Sequence, residues 1–137
     1  MARAGYMQNA IAMVALLSIG LVAGCATSQS SDEAPGKTLL DLFDANPGSA
    51  QNAGMCVGAT FNRRDAYPDG SPEDAAMLNL GAYWTMQVTD LEKDPGKQLS
   101  TMMSAGRLLE QVEAISPEYH VTDEILRRCV AAKEGKV

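Results

Sequence analysis

The residues able to do chemistry are few, and their spacing restricts them further. His120 is the sole histidine, so neither an HExxH helix nor a histidine-rich metal site can be built from this chain. It stands in "SPEYHVTDE" beside Glu118, Asp123 and Glu124, where it reads as a surface histidine in a turn. Asp65, Asp69, Gly70, Glu73 and Asp74 cluster in "DAYPDGSPED". In the register of a calcium loop, Tyr67 would occupy the third ligand place and Ala76 the closing bidentate one. A turn that caps the next helix explains those acids better. Gly36-Lys37-Thr38 has the order that ends a phosphate loop, but Ser31 stands where the first glycine is required and no apolar strand precedes it. Glu110 and Glu113 are three apart and can share a helix face. Paired carboxylates of that kind could serve a small hydrolase, yet the spacing is ordinary on exposed helices. No Gly-x-Ser-x-Gly elbow occurs. Of the eight methionines, Met77, Met86, Met102 and Met103 fall in amphipathic stretches, where the expected role is core filling, not soft-metal binding. Tyr83 and Trp84 could anchor a partner or pack inside. The pattern predicts no enzyme, no metal and no cofactor.

Helices must position these groups. "KTLLDLFDAN" carries apolar residues at 39, 40, 42 and 43, and Asn46-Pro47-Gly48 ends it. A weaker helix follows through "GSAQNAGMCVGATFNRRDAY", with Ala53, Val57, Thr60 and Phe61 on one side and Cys56 at the edge. Gly54 and Gly58 cost it about 1 kcal/mol each against alanine, but leave a flat surface for a close helix neighbour. After the break at "YPDGSP", Ser71 caps a helix with Pro72 in its first turn and Glu73 and Asp74 facing the dipole. Its inward stripe is Met77, Leu80, Trp84, Val88 and Leu91. "KDPGK" stops it. The next helix is expected from about Lys97 to Ile115, with Leu99, Met102, Leu109 and Val112 inward and Arg107, Glu110 and Gln111 outward. Ser116-Pro117 breaks that run. A last helix is expected near Thr122, whose hydroxyl would cap it, with Ile125, Leu126, Cys129 and Val130 inward. Strand-like alternation is nearly absent. The fold class is therefore all-α, a small bundle of four to five helices.

The first 24 residues differ from all this. Arg3 supplies positive charge, no acid occurs before Asp32, and "AIAMVALLSIGLV" is a 13-residue apolar run. As a helix it would measure about 20 Å, short of the ~30 Å hydrocarbon core. That suits the h-region of a signal peptide. The run closes with Leu21-Val22-Ala23-Gly24-Cys25, which resembles the lipobox of bacterial lipoproteins. The resemblance covers residues 1 to about 26. It implies that signal peptidase II cuts before Cys25 and that the Cys25 thiol carries diacylglycerol. Two or more acyl chains hold a protein on a membrane stably where one does not. The implied organisation is a signal peptide over 1–24, a lipidated flexible tether over 25–37 and a helical domain over 38–137. Ala26, in place of the aspartate that retains enterobacterial lipoproteins in the inner membrane, favours the outer membrane, with the domain facing the periplasm.

Cleavage would remove Arg3 and leave 10 basic against 17 acidic side chains, a net charge of −7. That balance argues against nucleic acid and against a basic membrane-binding surface. With Cys25 given to lipid, Cys56 and Cys129 remain in a compartment that permits disulfides. They are expected to pair, closing a loop of 73 residues, although two free buried thiols would also fit the count. The expected function is a non-enzymatic envelope lipoprotein whose domain binds a protein or supports the envelope. Cys56-Val57-Gly58 with the distant Cys129 also resembles small two-cysteine helical immunity proteins. That resemblance implies the alternative of a periplasmic inhibitor of a toxin or wall hydrolase.

Overall fold

The computed structural model describes residues 33–136; Cys25 and the leader lie outside the described residues. Among these described residues five α-helices follow in order: α1 (Pro35–Ala45), α2 (Ala50–Arg64), α3 (Pro72–Leu91), α4 (Pro95–Ile115) and α5 (Val121–Lys133), with a 3-10 turn at Pro117–Tyr119. Among the described residues there is no strand. The expected all-α bundle is present, and one disulfide joins Cys56 to Cys129 with the Cα atoms 5.7 Å apart.

Local chemistry sets most helix ends. Ser49 Oγ accepts from Asn52 N at 3.1 Å to open α2, and Ser71 Oγ accepts from Asp74 N at 3.1 Å to open α3. Asn46 Nδ2 donates to the Leu42 carbonyl at 2.8 Å as α1 ends, and Gly48 turns the chain at φ 75°.

Three expected boundaries need correction. The tether does not extend to residue 37, because Pro35 takes the first-turn position of α1, where its missing N–H costs nothing. Gly36 then sits against the Tyr119 side chain and donates its N–H to Ser116 Oγ at 3.3 Å. Helix α4 begins at Pro95, not Lys97, because Asp94 Oδ1 accepts from Gly96 N at 2.8 Å and Lys97 N at 3.2 Å. Thr122 does not cap α5: the helix starts at Val121 after His120 turns through the left-handed region at φ 47°. The Thr122 hydroxyl donates instead to Glu113 Oε2 at 2.7 Å.

Helix α2 is the axis of the domain. Every residue from Asn52 to Thr60 is buried, so its surroundings on all sides are protein. Leu39 and Phe43 of α1, Met55, Cys56 and Ala59 of α2, Leu109 of α4, and Ile125 and Cys129 of α5 form the main core. Ala53, Val57 and Val88 form a smaller one, joined by Trp84 and Met102. This corrects the single-faced reading of α2: Cys56 is central, while Phe61, expected inward, is 53% exposed. The glycines explain why a weak helix occupies the middle. A Cβ on Gly58 would stand 2.7 Å from Gly106 N, and one on Gly54 2.8 Å from Thr101 Cγ2. The flat surface expected there is where α4 crosses.

Candidate functional site: an apolar groove beside α2

Helices α3 and α4 both pack on α2 but touch each other only slightly. The space between them therefore stays open over the second half of α2. Two adjoining hollows occupy it. One, of about 460 Å³, is lined by Val57, Phe61, Leu99, Met102 and Met103. The other, of about 340 Å³, is lined by Thr60, Met77, Leu78, Ala82 and Met86. Phe61 and Thr85 belong to both, so the two form one groove. Phe61 lies about 140° around the helix from Cys56 at 100° per residue, which places it away from the disulfide and toward this opening.

The walls stay apolar. Leu99 is 58% exposed, Met103 53% and Met86 66%. Clusters of large apolar side chains left to solvent mark interaction surfaces more often than scattered ones do. Methionines on such a surface adapt to differing partners, because the thioether chain is unbranched and flexible. Polar groups frame the groove. Asn62 Nδ2 donates to the Gly106 carbonyl at 3.2 Å and ties the floor to α4. Arg107 and Glu110 stand at one rim, Arg64 at the other.

Arg64 is held there. Its Nε donates to Asp74 Oδ1 at 2.5 Å, and Gly70 N donates to Asp74 Oδ2 at 2.9 Å. The Arg64 guanidinium, helped by the Gly70 amide, holds the Asp74 carboxyl below its ordinary range, although burial opposes this. Asp74 is only 4% exposed. A catalytic acid would need its affinity for protons raised; here it is lowered. Within the acidic cluster "DAYPDGSPED", Asp74 is thus a pin between the end of α2 and the start of α3.

The other sequence candidates separate. His120 is exposed at the entry to α5. Glu110 is exposed at the groove rim, whereas Glu113 accepts the Thr122 hydroxyl, so the two carboxylates share no site. Arg63, beside Arg64, pairs with Asp123 at the start of α5. Among the described residues no three His, Cys, Asp or Glu side chains converge on a metal position, and no helix is long and apolar enough to cross a membrane. The methionines need a correction: Met77 and Met102 are half-buried, but Met86 and Met103, expected as core filling, face solvent at the groove. Sequence reading missed Leu78, Met86 and Met103 as a set. The available signal was that each lies off the inward stripe of its helix.

Comparison with protein-family models, with curated proteins and with solved structures finds no match to the chain. Fold and groove define a class all the same: a disulfide-linked, five-helix α domain with an open apolar slot along its central helix.

Proposed function

We propose that this chain is an envelope lipoprotein, anchored through lipid on Cys25 and facing the periplasm, whose domain binds an amphipathic helix of a protein partner. The domain does no chemistry of its own in this reading. The groove carries the proposal. A slot between two helices above a third is the place a further helix takes in a bundle, and apolar grooves of this kind receive helices through i, i+3 and i+4 anchors. The lipobox resemblance supports the anchor, and Ala26 favours the outer membrane. The acidic balance supports a protein partner over nucleic acid.

The test places a photo-crosslinking residue at Met103 in the full chain in cells, with Glu134 as the control position. A discrete heavier adduct from position 103 alone is the expected result. Adducts from neither position, in cells where the protein is at its natural level, refute the groove. An adduct between two copies replaces the partner with a dimer. An adduct to a toxin or wall hydrolase selects the inhibitor alternative. The anchor is tested separately: Cys25→Ser is expected to abolish palmitate labelling and to leave the precursor uncleaved.

A further inference from the structure

A further hollow, sharing no lining residue with the groove, has the makings of a small-molecule site. It measures about 780 Å³ and opens between the α1–α2 turn, α3 and the end of α5. Sites for organic ligands span roughly 300–1,000 Å³ and combine apolar walls with a few placed polar groups. Trp84 and Tyr83 supply an aromatic wall; their rings meet edge to face, with centroids 5.1 Å apart. The Lys133 ammonium lies 5.3 Å from the centre of the Tyr83 ring. The Trp84 Nε1–H is buried and has no hydrogen-bond partner among the described residues, an arrangement that usually costs stability.

The charge at this cleft opposes that of the protein. The chain carries a net −6, yet the lining holds Arg127, Arg128 and Lys136 against Asp44 alone. Arg128 is committed: Asp44 accepts from its Nε at 2.7 Å and its Nη2 at 3.2 Å, and Glu124 accepts from its Nη1 at 2.8 Å. Lys136 pairs with Glu134 at 2.8 Å. Arg127 gives one N–H to Glu124 at 2.9 Å, and a guanidinium has five. Arg127 is therefore the group best placed to meet an incoming anion.

We propose that this cleft binds an organic anion with a flat apolar body, an aryl carboxylate being the simplest example. The body lies against Trp84 and Tyr83, and the carboxylate faces Arg127. The inference rests neither on lipid at Cys25 nor on a partner in the groove.

Trp84 is the sole tryptophan of the chain, so its emission reports on the site directly. The full chain, reconstituted in phosphatidylcholine vesicles, is titrated with 2-naphthoate and, in parallel, with the neutral 2-naphthamide. Saturable transfer from Trp84 to naphthoate is expected, with naphthamide at least about tenfold weaker, the scale of one charge-assisted hydrogen bond. Arg127→Gln should weaken naphthoate by a similar factor at unchanged melting temperature, and Phe61→Ser in the groove should leave it unchanged. Transfer that rises linearly without saturating means partition into the vesicle and overturns the site. Equal affinity for acid and amide, or no effect of Arg127→Gln, overturns the anion.

Discussion

Single residues show how little of this domain is decided by side-chain identity alone. Asp74 belongs to a cluster that could ligate a cation, but both its oxygens are taken by Arg64 and Gly70. Because its folded pKa lies below the ordinary 3.8, its contribution to stability is present above that value and fades as pH falls through the folded one. Asp74→Asn should therefore lower the urea midpoint at pH 7, and the gap from the parent should close in acid below about pH 4. A gap that persisted unchanged at pH 3 would refute the pairing. Two glycines make an opposed pair. A Cβ on Gly58 meets backbone at 2.7 Å and 2.9 Å, which cannot yield as a flexible side chain would, whereas one on Gly81 finds Thr60 at an ordinary 3.7 Å. Gly58→Ala should cost about 1–3 kcal/mol despite its gain in helix propensity. Gly81→Ala should be neutral or stabilising by up to about 1 kcal/mol. Thermal unfolding followed by circular dichroism measures both.

Among the helices, α2 and α5 are joined both by packing and by the Cys56–Cys129 bond, which spans 73 residues. Chain-entropy reasoning assigns a closure of that length about 4–5 kcal/mol. The double substitution Cys56→Ala with Cys129→Ala should reduce unfolding free energy on that scale while keeping the helical spectrum, and urea titration with and without reductant checks it. Some helix ends were legible because they are written in a few adjacent residues: Ser71 caps as its type suggests, and Asn46-Pro47-Gly48 ends α1. The two misplaced starts share a cause. Pro35 and Pro95 look like breaks in a linear reading, yet proline at a first turn begins a helix as readily as it ends one. Thr122 failed as a cap because the helix already begins at Val121, which puts Thr122 inside the first turn, and its hydroxyl donates to Glu113 nine residues earlier.

For the domain as a whole, stability and recognition lie on different faces of α2. Leu109 is fully buried in the main core, and Leu109→Ala should cost about 2–5 kcal/mol. Phe61 and Met103 point into an open groove, so Phe61→Ser or Met103→Ser should shift the melting temperature little while sharply reducing crosslinking to the partner. A large loss of stability from either would show that the groove residues belong to the core. The cleft beside Trp84 is a third, separate surface, and Arg127→Gln at its exposed edge should affect neither readout.

Periodicity and caps were enough to read an all-helical domain of four to five helices, because an i to i+4 hydrogen-bond ladder and a one-sided apolar stripe are local properties. The disulfide was read instead from the cysteine count and the compartment that the lipobox resemblance implies. Periodicity and caps could not say that Asn52 to Thr60 of α2 would all be buried, nor that Phe61, Leu99, Met86 and Met103 would stay open. Burial is a property of pairs of surfaces. Whether an apolar side chain is core or groove depends on how closely helices far apart in the chain approach. Here the close crossing of α2 and α4 at Gly58 and Gly106, and the slight contact of α3 with α4, settled it.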